Sequence, residues 1–151
     1  MPTLPVLTES MRKVLQQAQV EARHLNQEFV STEHILLALL HSEHSDVSRA
    51  LRSRHVDTEL LRTQISEFLP FAESAPKVSG DLPLSPKAQR LVNSALVKSR
   101  SLREPKLCTR VFMLTLLDEG NPLLESAMQS AGTSFSDLRE ALSEKPKHPE
   151  E

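Results

Sequence analysis

His34, His41 and His44, with Glu43 beside the last of them, are the side chains whose spacing comes nearest to a metal site. A His41-x-x-His44 pair can ligate a metal, yet both residues fall at the end of an apolar run that reads as a helix, where the dipole favours cationic side chains anyway. No metal is expected. Cys108 is the one cysteine, so neither an internal disulfide nor a cysteine-based zinc site can form. With Gly80, Gly120 and Gly132 as the full glycine set, neither phosphate-cradling glycine loop can be written, and there is no Gly-x-Ser-x-Gly elbow. The expectation is a protein without an active site or a cofactor.

Binding chemistry is better supplied. Thr8 can cap a first helix, and Glu33 stands just inside a second helix start, where a carboxylate is favoured. From Lys87 onward the chain places Lys87, Arg90, Lys98, Arg100, Arg103, Lys106 and Arg110 against a single acid, Glu104. Such a run is a solvated face or a patch for an acidic protein partner. It lacks any aromatic residue for base stacking and the chain as a whole is not basic, so nucleic acid is disfavoured.

The elements that must carry these residues repeat. Placing Thr8 on Ser85 sets a constant offset of 77 at which Val14 meets Leu91, Ala18 meets Ala95, Thr32 meets Thr109, Leu37 meets Leu114 and Leu61 meets Leu138, with no gap. At that offset Cys108 falls on Ser31, a capping residue. Met11, Val14, Leu15, Ala18 and Ala22 share one helical face after Thr8. Ser31-Thr32 opens a second helix whose residues 35–40 are apolar all round and must be central. Asp46 is expected to cap a third and Asp57 a fourth. In the second half Ser85-Pro86 and Asn121-Pro122 each put a capping side chain before a first-turn proline. Gly132 should close the seventh helix, and Ser134 or Ser136 should open the eighth.

The expected architecture is all-α, eight helices in two pseudo-symmetric four-helix repeats, with residues 33–41 and 110–118 as the spines. Residues 1–6 form an extension, 7–69 the first repeat, 70–84 a linker, 85–143 the second repeat and 144–151 a disordered tail.

Leu7-Thr8-Glu9, Val14-Leu15, Glu21-Ala22 and above all Val30-Ser31-Thr32-Glu33-His34-Ile35-Leu36-Leu37-Ala38-Leu39-Leu40 resemble the amino-terminal domain of the Clp/Hsp100 AAA+ unfoldases. The likeness covers residues 7 to about 143. It departs at Ser31, where the family usually has Gly, and at Thr109-Arg110, where the second repeat lacks the Glu-His pair. The ATPase modules lie outside it, so ATP-driven unfolding is not implied. What the resemblance implies is a protein-binding module of a Clp-type chaperone or protease system that receives adaptors or unfolded or modified clients. The alternative is a free-standing regulator that binds the Clp ATPase or peptidase ring. In some members the positions of Thr8 and Glu33 line a site for phosphorylated arginine, which makes phosphoarginine a candidate ligand here; Arg110 reverses the charge at the second such position. Leu7 and Phe29 at the amino-terminal edge, and Val78 and Leu82 in the linker, are candidates for apolar docking, the alternative being that they pack the linker onto the core.

The chain has 151 residues, 38% hydrophobic and 25% charged with a formal net charge of -2, enough for one compact domain. Its longest apolar run is far short of the roughly 20 residues a membrane span needs, and it lacks a secretion signal. A cytoplasmic location, off the membrane, is expected.

Overall fold

A computed structural model describes residues 6–42, 45–74, 79–144 and 146. They form eight helices: α1 Glu9–His24, α2 Thr32–His41, α3 Asp46–Ser53, α4 Thr58–Glu67, α5 Pro86–Ser101, α6 Thr109–Glu119, α7 Pro122–Ser130 and α8 Phe135–Ser143. Both ends of α5 lie 77 residues beyond those of α1. The turns repeat as well: Asn26 and Arg103 take left-handed backbone after the first helix of each half, and His55 and Gly132 do so after the third. Gly132 tolerates this freely, whereas Arg103 and His55 adopt it against the preference of a residue with a Cβ.

The capping chemistry explains where the helices start. Thr8, Asp57, Ser85, Asn121 and Ser134 each accept the backbone N–H three residues on, which satisfies donors that the helix itself leaves open. One expectation fails: Ser45, not Asp46, caps α3. The Ser45 Oγ accepts from Ser48 at 3.1 Å and donates to the Leu39 carbonyl at 3.2 Å, so a hydroxyl that both donates and accepts takes the buried junction. A carboxylate could not donate there. Asp46 is the first helical residue instead.

The spines α2 and α6 run from Thr32 and Thr109, and both are buried on nearly every side. Residues 34–40 and 109–117 are all buried. An apolar cylinder of this kind has no solvent face: α1 and α4 enclose α2, α5 and α8 with the first half's α3 enclose α6, α7 packs on α4, and both spines draw on one continuous core. Glu21 on α1, itself buried, accepts from Arg62 on α4 at 2.7 Å and fastens the first half's outer helices to each other.

Two short parallel bridges join the halves, Leu7 to Leu107 and Val30 to Leu84. In one, Leu107 N–H donates to the Val6 carbonyl at 2.7 Å and Thr8 N–H to the Leu107 carbonyl at 3.0 Å. In the other, Val30 N–H donates to the Pro83 carbonyl at 2.9 Å and Ser85 N–H to the Val30 carbonyl at 2.8 Å. These are one motif used twice, because Val6, Leu7, Thr8 and Val30 occupy the repeat positions of Pro83, Leu84, Ser85 and Leu107. Each half thus lends the strand before its first helix to the loop before the other half's spine.

The segment between α4 and α5 is strapped down where it is described. Ala72 N–H donates to the Leu25 carbonyl at 3.1 Å, and Gln19 both donates to and accepts from the backbone of Leu82, at 2.8 and 2.7 Å. Most of the tail, 145 and 147–151, lies outside the described residues, as do Glu43, His44 and Val78.

Two ionisable side chains at the spine starts are buried, one neutral and one charged. His34 completes a reciprocal cap at the start of α2: Ser31 N–H donates to its Nδ1 at 2.9 Å, and the Ser31 hydroxyl accepts from His34 N–H. That geometry needs a neutral ring. Burial holds the His34 pKa below its ordinary 6.5, against the opposing pull of Glu33 and Glu21. Arg110, at 6% exposure, donates to the Leu142 carbonyl at the end of α8 at 2.9 Å and pairs with Glu104 at 3.1 Å.

Because folded His34 resists protonation while the unfolded ring accepts a proton at its ordinary value, the His34 contribution is complete above pH 6.5 and is lost as the pH falls below it. Thermal melts from pH 7 to 5 should therefore decline more steeply for wild type than for His34→Gln, whose amide oxygen can still accept from Ser31. Arg110→Ala should cost about 2 kcal/mol in urea denaturation by stripping Glu104 and the α8 terminus of their donor. A change inside about 0.5 kcal/mol would be that of a solvated surface arginine.

Candidate partner-binding clefts

The two bridges decide which helix starts are neighbours. Thr8 is brought to Leu107, at the entry of α6, while Val30 at the entry of α2 is brought to Leu84 and Ser85. Thr8 and Glu33 therefore stand at different bridges. The hydroxyl cap delivered to the α2 entry is Ser85 rather than Thr8. Glu33 is partly exposed, and its Oε2 accepts from Asn121 Nδ2 at 3.0 Å. Asn121 is itself buried at 3% exposure and uses its Oδ1 to cap α7. One amide thereby ties Glu33 of the first half to the α7 start of the second. Asn121 was visible in the sequence only as a cap, because an amide's second partner comes from across the fold.

Beside this tie lies a cleft of about 540 Å³ between α5 and the α6–α7 turn, reaching back to the start of α2. Its lining includes Thr32, Lys87, Arg90, Ser94, Glu119 and Asn121. A second groove, of about 530 Å³, runs between α1 and residues 81–84 and is lined by Leu7, Leu15, Leu82 and Leu84 with Arg12, Gln16, Gln19 and Gln89.

The basic run divides on folding. Lys87 and Arg90, one turn apart on α5, reach the first cleft. Lys98 turns to Asp118 on α6 at 2.7 Å. Arg103 and Lys106 are exposed in the α5–α6 turn. Arg110 leaves the patch altogether: its guanidinium is an interior donor, since at the repeat position of Glu33 it faces Glu104 and the end of α8. A continuous basic surface from 87 to 110 does not exist.

Among the apolar candidates, Leu7 and Leu82 are buried at 4% and 3%, so packing of the linker describes them better than open docking. They still form the floor of the groove along α1. Phe29 is about half exposed, and Phe68 and Phe71 more so. Cys108 occupies the cap position of α6 but makes no side-chain capping bond there. Among the described residues no three His, Cys, Asp or Glu side chains gather to hold a metal, and no helix is long and apolar enough to cross a membrane.

Comparison with known proteins agrees with this fold. A ClpA homologue described as an ATP-dependent Clp protease ATP-binding subunit, from Cyanidium caldarium, is 29% identical over 132 residues, 87% of this chain and 15% of its own length. The chain spans about 15% of the length of such curated relatives. The N-domain of ClpV from Vibrio cholerae superposes with a TM-score of 0.75 at 20% identity, covering 95% of this chain and 89% of that one. A ClpV N-domain solved with a VipB peptide gives 0.69, at 20% identity over 91% and 88% of the two chains. With the family model described as the Clp repeat (R) N-terminal domain matching residues 6–131, the chain belongs to that family.

Proposed function

We propose that the chain is the receiving module of a Clp-type chaperone or protease system in the cytoplasm: it binds adaptors or unfolded or modified client segments and does no chemistry of its own. The observation that carries this reading is the groove along α1. Its floor is leucine, its rim is Gln16, Gln19, Gln89 and Arg12, and its length follows an extended stretch of chain at residues 81–84. An apolar floor takes up side chains of a flexible segment, and the Gln16 amide with the Gln89 oxygen can bond its backbone, Gln19 being committed to Leu82. A related fold, the ClpV N-domain, has been solved holding a peptide.

Phosphoarginine belongs to the same proposal. Glu33 offers a carboxylate to a guanidinium, and a helix start with a capping hydroxyl suits the phosphoryl group. Here the capping hydroxyl of the Glu33 helix is that of Ser31, and the cap residue that the bridge brings beside it is Ser85, with Thr8 at the other bridge. Only one of the two repeat positions carries an acid, Arg110 being the other, so a single such site per chain is proposed.

Fluorescence anisotropy with a labelled unstructured peptide, carrying either arginine or phosphoarginine at its centre, tests the reading. Wild type should bind both forms and prefer the phosphorylated one. Glu33→Ala should stay folded at the assay temperature, melting below wild type because the buried Asn121 Nδ2 loses its acceptor, and should lose the preference. No saturable binding of either peptide would overturn the function, and an unchanged preference in Glu33→Ala would remove Glu33 from the site.

A further inference from the structure

Three of the chain's five phenylalanines stand on its surface, Phe29 at 52% exposure, Phe68 at 73% and Phe71 at 65%. Hydrogen bonds gather them at one corner. Phe68 follows the last residue of α4, and Phe71 lies between Pro70 and Ala72, whose carbonyls accept from Gln27 Nε2 at 3.0 Å and Asn26 Nδ2 at 2.8 Å in the turn that leads to Phe29. The stretches 25–30 and 67–74 that meet here contain Glu28, Glu67 and Glu73 and no cation. All three acids are exposed, and none is ion-paired to another described residue. Just before them Arg23 turns to the Gly80 carbonyl, while His24 is exposed.

The second half shows that packing does not call for the aromatics. At the offset of 77, Phe29 corresponds to Lys106, which is exposed after an equivalent left-handed turn at Arg103. The exchange continues in the sequence, where Phe68 corresponds to Lys145 and Phe71 to His148, both outside the described residues. Near Lys106, Arg100 and Arg103 are exposed without an ion pair to a described residue, and Leu102 and Val97 are 41% and 62% exposed. Glu104, the acid of that turn, is turned to Arg110. One corner therefore offers aromatic rings and carboxylates, and its counterpart offers guanidinium and ammonium groups beside aliphatic side chains. A cation is attracted by a ring face and by a carboxylate alike.

We propose that the phenylalanine corner of one chain docks on the α5–α6 corner of a second copy, head to tail. The three rings expose about 400 Å² of apolar surface, against the roughly 800 Å² that each partner of a standard interface buries, so the contact is weak and forms at high concentration. Its ion pairs are exposed and lose strength with salt. Because the two surfaces differ, each copy in a pair keeps one of them free, and assemblies grow past the dimer unless they close into a ring.

Sedimentation velocity of the full chain, from micromolar to millimolar concentration in low and in high salt, tests the contact. The weight-average sedimentation coefficient should rise with concentration in low salt and stay near the monomer's in high salt. Phe68→Ser combined with Phe71→Ser, and Arg103→Asn combined with Lys106→Glu, change exposed positions only, so each should melt near wild type and associate about tenfold or more weakly. An equal mixture of the two variants should recover a dimer and nothing larger, since one supplies the basic corner and the other the aromatic one. A monomeric wild type at every concentration would overturn the proposal, as would association that either variant retains or a mixture that stays monomeric. If a monomeric wild type instead binds a lysine- and leucine-rich peptide, and Phe68→Ser with Phe71→Ser does not, the corner belongs to a basic segment and the second copy is excluded.

Discussion

Both partner-binding clefts of this molecule depend on the crossed backbone bridges. Four N–H to carbonyl bonds, two at Leu107 and two at Val30, join the strand before each half's first helix to the loop before the other half's spine. Each bond contributes about 1 kcal/mol net, which is modest beside the burial of α2 and α6. Their consequence is register. They fix which helix start faces which, and so decide that Glu33 meets Asn121, that Thr32 shares a cleft with α5, and that Leu7 and Leu84 share a groove floor.

The two halves have diverged at those crossings in a physically readable way. Where the first half carries Glu33, partly exposed and held by one amide, the second carries Arg110, sunk into the fold between Glu104 and the end of α8. An acid at the first site remains available to a ligand, whereas the cation at the second is consumed by the protein itself. The pseudo-symmetry therefore builds two equivalent scaffolds and leaves them chemically unlike. The same divergence appears in the caps, with Ser31 and His34 closing a reciprocal box at α2 and Cys108 making no side-chain cap at α6.

Much of this architecture was legible in the residues because helices are specified locally. The 77-residue offset, the serine and asparagine caps before Pro86 and Pro122, and the all-apolar stretches of α2 and α6 each announce an element whose physics is complete within a few residues. Pairings across the fold were not legible. Periodicity cannot say that Thr8 meets the α6 entry and Ser85 the α2 entry, because the bridges cross between repeats. Nor does a count of basic residues reveal that Lys98 answers to Asp118 while Arg110 turns inward. Ser45 displaced Asp46 as a cap for a comparable reason, since the buried Leu39 carbonyl that selects a donor lies on the preceding helix.

Native-state hydrogen exchange of the four bridging amides, those of Thr8, Val30, Ser85 and Leu107, tests the interlock most directly. If the crossings hold the halves as one unit, all four should exchange as slowly as the interior amides of α2 and α6, through global unfolding alone. Fast exchange at either bridge, with the spines still protected, would show that the bridge opens while the shared core stays closed. The clefts would then lack the fixed register on which the account depends.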